Sequence, residues 1–373
     1  MRILKYLIFL FLIVAIGLSI YVAIQPDDYQ IVTTRVVNAP KPVIYNYVSD
    51  FKKWNKWSVW FDQDPNMHIE YGAVTEGENA SFKWNSDILG KGNIVTTYAT
   101  LDSVSHNLEF IKPKESKAHR FWSLDDTANK DGILVTSGIE GKLSFTDKFV
   151  LLFQNSMQHN FETDFKSGLI KLDSVVTTDM KKYKITTQGT IEYGGGYYLY
   201  QTTSTKQNEV HLATQKMFPE IEAFMEQNYM HSSGDAFTIF QEEDHDNNTV
   251  IFSVCVPIKE KVITPPGSTI LCGFIETGSY FKTILKGDYS NLNEAWSKAR
   301  ETIKTNNTIV VDSTKNPFEA YVITPQKTFN PAELLTEIYI PVKPQYVKPV
   351  STAAPIYSSS VYKEPTTTTE EIQ

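Results

Sequence analysis

The sequence predicts an α+β protein carrying one N-terminal transmembrane helix. Three observations predict it. An uncharged apolar stretch runs from Tyr6 to Ile24, strand-like alternation fills much of the rest, and three longer stretches between the strands have helical spacing. At 373 residues the chain exceeds one ordinary domain; at roughly 150 residues each, two or three are expected. Its 41% hydrophobic and 21% charged residues exclude wholesale disorder and a multi-span membrane protein. The 13% aromatic content implies large cores or cavities walled with rings. A net charge of -8 offers no attraction to a nucleic acid, so none is expected as a partner. Two cysteines rule out a disulfide framework and a four-thiolate zinc site.

Residues 1–28 read as a membrane anchor. Arg2 and Lys5 precede the apolar stretch, Ser19 is its clearest polar interruption, and no charge appears between Lys5 and Asp27. At ~1.5 Å per helical residue, residues 6–24 match a hydrocarbon core of about 30 Å. Basic residues before the stretch, with Asp27 and Asp28 after it, predict the N-terminus inside and the bulk extracytoplasmic. The rival is a cleaved signal peptide, for which Ala15-Ile16-Gly17 is a weak cleavage site followed by further apolar residues.

Residues 29–178 form the first expected unit. Tyr29 to Asn38 is a β-branched strand, and Pro40 and Pro42 punctuate the entry to a short helix over Val43 to Ser49. Phe82 and Trp84 alternate with Ser81, Lys83 and Asn85, as on a half-buried strand. Strands follow at Asn93–Thr100, Asn107–Ile111, His119–Leu124 and Ile133–Ile139, separated by Gly-, Pro- and Asn-containing turns. A long helix then carries Met157, Phe161, Phe165, Leu169, Leu172 and Val176 on one stripe.

Five stretches of this unit carry a resemblance. The stretch from Ala39 through Tyr45 and Asp50 to Phe51, Trp54, Trp57 and Trp60, with Tyr71-Gly72, Phe82-Lys83-Trp84-Asn85-Ser86, Gly90-Lys91-Gly92 and Gly168-Leu169-Ile170-Lys171-Leu172, resembles the polyketide cyclase/dehydrase group of START-like (SRPBCC) domains. The resemblance implies a helix-grip fold around a hydrophobic ligand cavity, with Trp84 and Trp122 as expected lining residues. It implies no reaction, because that superfamily mixes carriers, receptors, cyclases and hydrolases.

Residues 181–343 form the second unit. Strands are expected at Tyr183–Thr190, Tyr197–Tyr200, Ala236–Gln241 and Val250–Pro257, with a helix over Glu209–Gln227 that Pro219 should kink or restart. The pattern repeats as strand Ile270–Glu276, helix Leu292–Lys304 and strands Phe318–Ile323 and Glu337–Val342. Two strand-helix-strand-strand halves predict pseudo-twofold symmetry and a cleft between them. Gly287-Asp288-Tyr289-Ser290, Ala295-Trp296, Pro317-Phe318-Glu319-Ala320-Tyr321 and Thr336-Glu337-Ile338-Tyr339-Ile340-Pro341-Val342 resemble the GyrI-like, or AraC-type effector-binding, domain. The resemblance implies a central cleft for amphipathic, often cationic small molecules, with a glutamate at the Glu319 position facing the ligand. Some members of that family hydrolyse small electrophiles.

Strand alternation independently sets Glu319, Tyr321 and Ile323 on one face and Phe318, Ala320 and Val322 on the other. A carboxylate among rings is costly unless its charge is compensated. A cation held by Glu319 and stacked on Tyr321, Trp296 or Tyr280, with Tyr289 nearby, would compensate it. A surface glutamate or a structural ion pair is the bland alternative. No metal site or cofactor is expected: the seven histidines are dispersed, and Asp125–Gly132 lacks the closing glutamate of a calcium loop. Glu242–Asn248 reads as a solvated hairpin loop and Gly194-Gly195-Gly196 as a bend or bulge. Cys255 and Cys272 sit on neighbouring expected strands, either as a disulfide or as free thiols. The Pro-, Ser- and Thr-rich residues 344–373 read as a disordered tail.

The expected function is membrane-anchored binding of hydrophobic or amphipathic, including cationic, small molecules. The alternatives are a hydrolase or cyclase with Glu319 as general base, and a sensor or scaffold protein.

Overall fold

In a computed structural model of the chain, the structure describes residues 2–129, 131–153, 156–244 and 246–343. The tail expected from residue 344 onward lies outside them. Helix α1 (Arg2–Ile24) is long and apolar enough, by length and composition, to cross a membrane. The Ser19 hydroxyl donates to the Ala15 carbonyl at 2.8 Å, which removes the main polar cost of that position in an apolar medium.

The first sheet contains β1 (Asp28–Val37), β2 (His68–Tyr71), β3 (Ser81–Ser86), β4 (Gly90–Ala99), β5 (Ser103–Lys112), β6 (Ser116–Asp126) and β7 (Ile133–Lys142). All neighbours are antiparallel, in the order β1-β7-β6-β5-β4-β3-β2, so β2 to β7 form a meander that β1 extends at β7. Helices α2 (Lys41–Ser49) and α3 (Val59–Gln63) enter before β2, and α4 (Phe145–Phe153) and α5 (Ser156–Met180) follow β7. Pairing with two neighbours carries β5 and β6 beyond their expected spans at both ends and starts β4 earlier than expected, at Gly90. Three helices and strands of this unit were not expected from the sequence: α3 and β2, five and four residues long and too short to show a period, and α4, nine residues long. The stripe on α5 buries Phe165, Leu169, Leu172 and Val176 in the same hydrophobic core as Trp54, Trp57 and Trp122. The side chains of Met157 and Phe161 lie outside the described ones. Arg35 on β1 reaches Asp173 on α5 at 2.7 Å, tying sheet to helix.

The second sheet contains β8 (Lys184–Tyr193), β9 (Gly196–Lys206), β10 (Phe237–Asp244), β11 (Thr249–Ile258), β12 (Leu271–Ile275), β13 (Gly278–Lys286), β14 (Phe318–Ile323) and β15 (Leu335–Pro341). Helix α6 (Val210–Gln227) follows β9, and α7 (Leu292–Thr305) follows β13. The expected restart at Pro219 does not occur, because α6 runs unbroken through it. Strand β13 was not foreseen. With it, each half reads strand, strand, helix, strand, strand.

The sheet order is β12-β9-β11-β10-β14-β15-β13-β8. It is symmetric about the β10–β14 pair, and the first strand of each half is exchanged: β8 pairs with β13, and β12 with β9. The sheet also curls. Strand β8 ends at Tyr193 and β9 begins at Gly196 near the opposite end of the order, yet so short a link spans at most about 11 Å. Gly195 makes the crossing at φ +70°, and a Cβ there would lie 2.3 Å from the Ile275 carbonyl oxygen. The expected bend is therefore the place where the sheet's two ends meet.

The inner face of the curl holds Tyr193, Tyr198, Phe237, Cys255, Tyr280, Phe318 and Tyr339. On the other face, α6 covers Leu199, Phe252 and Val254, and α7 covers Phe281, Leu285, Ile338 and Ile340. Strand β9 lies between the strands of Cys255 and Cys272, so the two thiols are not on neighbouring strands. Two strand spacings, about 10 Å, exceed the reach of a disulfide, and both cysteines are free.

Candidate functional site

The site is built on β14 at the centre of the symmetric sheet. The two-residue period turns Glu319 and Tyr321 toward the helices and Phe318 toward the inner face. Register sets Thr238 and Ile338 beside Glu319. Asp288, whose side chain accepts from the Ser290 amide, caps the turn after β13 that carries Tyr289. Helix α7 then brings Trp296 over the carboxyl.

Glu319 is 4% exposed. Trp296 Nε1 donates to its Oε1 at 2.5 Å, and the Tyr321 hydroxyl donates to its Oε2 at 3.0 Å. The same hydroxyl lies 3.0 Å from Thr238 Oγ1. Rings surround the group edge-to-face: Tyr289 and Phe218 stand 5.9 and 6.1 Å from Tyr321, and Phe240 stands 5.6 Å from Trp296. Among the described residues no ion pair reaches Glu319. Arg300 lies 5.3 Å from the centre of the Trp296 ring and pairs with Glu243.

Burial pushes the Glu319 carboxyl above its ordinary range, the Trp296 and Tyr321 bonds pull it back, and the Glu243 charge adds a smaller upward push. Burial, then the charge of Glu319, raises Tyr289 to about 12, so its hydroxyl stays protonated at neutral pH. The arrangement is a desolvated carboxyl with two donors, several ring faces and, among the described residues, no ion pair of its own. An organic cation placed here gains both ion pairing and cation–π contact.

The structure brings together Glu319, Tyr321, Trp296 and Tyr289 from the expected set. It does not bring Tyr280 to them. Tyr280 packs against Tyr193 and Phe318 at 5.7 and 5.4 Å on the inner face, because its strand register aligns it with the residues alternate to Glu319. Phe218, Phe240 and Thr238 join the site without any signal in the sequence, since only the β10–β14 pairing and the seating of α6 bring them there. In the first unit, Trp84 packs among Phe82, Phe110 and Trp60. Trp122 lines a cavity of about 10 Å³ with Trp57, Trp60 and Arg120. Arg120 was missed although a signal existed: it shares strand parity with Trp122. Among the described residues no group of three or more His, Cys, Asp or Glu side chains is arranged to hold a metal ion.

A family model described as a GyrI-like small molecule binding domain matches residues 197–343. Residues 197–343 are thus similar to that family. The match begins after β8, yet β8 completes the domain's sheet by pairing with β13. Among solved structures, the EcmrR C-terminal domain is similar over 43% of this chain and 98% of its own, with 18% identity and a TM-score of 0.37. Protein CV1439 from Chromobacterium violaceum is similar over 41% of this chain and 98% of its own, with 11% identity and a TM-score of 0.30. SAV2435, solved bound to tetraphenylphosphonium, is similar over 43% and 94%, with 10% identity and a TM-score of 0.32. No curated protein matches the chain.

Proposed function

We propose that the chain is a membrane-anchored binder of amphipathic small molecules whose GyrI-like half takes organic cations at Glu319. The observation that carries this is the buried carboxyl with two hydrogen-bond donors, a surround of rings and, among the described residues, no cationic partner. An uncompensated carboxylate at such a site is costly, and a bound aromatic cation removes that cost. Fluorescence titration of the full chain with tetraphenylphosphonium tests it. Glu319→Gln should weaken binding at least tenfold while leaving the fold intact; equal affinity in both proteins overturns the proposal.

Residues 29–178 act in this proposal as a START-like, helix-grip unit, supported by the antiparallel meander packed against α5 and by the motifs around Trp54 and Trp84. Residues 1–28 act as the anchor, with the N-terminus inside. Its support is the apolar length of α1 and the apolar surface of α4 beside its end, where Phe145, Val150 and Leu152 are exposed and Lys148 bonds the Gln25 carbonyl. Carbonate extraction of membranes from producing cells tests the anchor: a chain released into the supernatant overturns it.

One observation favours a second function. Burial raises the Glu319 carboxyl, the direction of shift a general base uses. A hydrolase would lose turnover of a small electrophile in Glu319→Gln while keeping its affinity for neutral ligands.

A further inference from the structure

Arg120 is 4% exposed on the inner face of the first sheet, and unlike Arg35, which pairs with Asp173, it sits among rings. Its guanidinium lies 4.9 Å from the ring centres of Trp54, Trp122 and Phe165 and 5.3 Å from that of Trp60. No carboxylate pairs with it among the described residues. The acid that lines the same cavity, Asp164, instead accepts from Gln63 at 3.0 Å. Burial lowers the guanidinium from its ordinary value to about 9, still cationic at neutral pH.

Its neighbours lack partners in the same sense. Arg120 Nε, Trp122 Nε1 and His106 Nε2 are buried with no hydrogen-bond partner. The register sets His106 directly beside Arg120, and Arg120 shares its face with Trp122 two residues on. When His106 Nδ1 accepts from the Thr96 hydroxyl, 3.1 Å away, Nε2 carries the proton, and all three orphans are donors. The other fully buried tryptophans differ: Trp54 and Trp57 donate to the carbonyls of Val48 and Tyr47 at 2.9 and 3.1 Å. Buried polar atoms are ordinarily paired, and a buried charge is ordinarily paired with an opposite one. Three adjacent unpaired donors, one of them a cation, are what an oxyanion would satisfy.

The cavity at Arg120 and Trp122, about 10 Å³, has space of the order of one water or one oxygen atom. It lies between α3 and α5, where Val59 faces Gly168 across ordinary contact distance from the missing Cβ. A longer ligand would lie with its charged end inside and its apolar remainder passing between these helices.

We propose that the N-terminal unit binds an oxyanion, a carboxylate, at Arg120 and Trp122. The pocket is opposite in sign to the Glu319 site. This rests on taking the unit as a ligand-enclosing fold, and the probes separate the two ideas. The full chain in phosphatidylcholine nanodiscs is titrated with decanoate, decanol and acetate, following tryptophan fluorescence against protein-free nanodiscs. Decanoate is expected to bind at least tenfold tighter than decanol. Arg120→Met should abolish that preference without lowering Tm, because it exchanges an unpaired buried charge for an apolar side chain of similar length. Trp122→Phe, which keeps a ring and removes one donor, should weaken decanoate three- to tenfold and leave decanol unchanged. It decides the matter if Arg120→Met does not fold.

If acetate binds as tightly as decanoate with the same Arg120 dependence, the site holds and its ligand is a free small anion; if decanoate is far tighter, the ligand is an amphipathic acid. Equal affinity for decanoate and decanol overturns the anion site and leaves an apolar pocket. Binding of none of the three overturns both ideas. A decanoate preference that survives Arg120→Met or, where that variant does not fold, Trp122→Phe assigns the anion elsewhere and overturns this site.

Discussion

Trp296 donates its indole N–H to the Glu319 carboxyl, so a residue of α7 holds the charge presented by β14. The bond couples the seating of a helix to the ionisation of a strand residue. A hydrogen bond to an ionised group favours the ionised form and contributes roughly 1.5–3 kcal/mol.

Trp296→Phe keeps the ring and removes this donor. Stability at neutral pH should fall by about 1–2 kcal/mol in urea unfolding. The carboxyl moves further upward, so the pH midpoint for tetraphenylphosphonium binding rises relative to the parent. An unchanged midpoint would mean that the bond does not bias the charge.

Glu319 itself sets a pH dependence. Its folded pKa is raised above 4.5, so between pH 4.5 and that raised value the folded state holds more protons than the unfolded state. Stability therefore declines as pH rises through this window and then levels. Glu319→Gln should remove the decline and raise Tm at pH 8 by about 2–4 °C for each kcal/mol recovered. Thermal melts of both proteins from pH 4.5 to 8 provide the comparison.

His106 acts with the opposite slope. Burial holds it neutral, well below its ordinary 6.5, with the Arg120 charge adding to the effect. Unfolding allows it to take up a proton, so stability of the first unit should fall as pH drops below 6.5. His106→Gln should be less stable at pH 7.5 and show a shallower loss between pH 6.5 and 5, read by tryptophan fluorescence during urea unfolding.

Gly287 adopts φ +138°, and a Cβ there would stand 2.3 Å from Tyr183 Cβ and 2.9 Å from its Cα. Both the backbone region and the close approach require glycine. Gly287→Ala should destabilise by more than about 2 kcal/mol and weaken cation binding, because the turn it distorts carries Tyr289 and leads into the Trp296 helix. Urea unfolding and the tetraphenylphosphonium titration check the two effects separately.

Local order was legible wherever a period was long enough to repeat. The apolar stretch before Asp27, the alternation of Phe82 and Trp84, the α5 stripe through Leu169 and Val176, and the parity of Glu319 with Tyr321 all rest on contacts between near neighbours in the chain. The same parity carried information that went unused: Trp122 facing inward requires Arg120 to face inward too.

What pattern could not supply were relations between distant strands. Phe240 and Thr238 reach the site because β10 lies beside β14, and Tyr280 leaves it because the β13–β15 register aligns it with Phe318. Exchange of β8 and β12, and the curl closed at Gly195, likewise depend on pairings across many tens of residues. Residue order specifies which face each side chain takes along its own strand. Which strands become neighbours, and hence whether a buried charge such as Glu319 or Arg120 meets a partner, is settled when the sheets close, since hydrogen-bond pairing leaves no trace in the spacing of either strand alone.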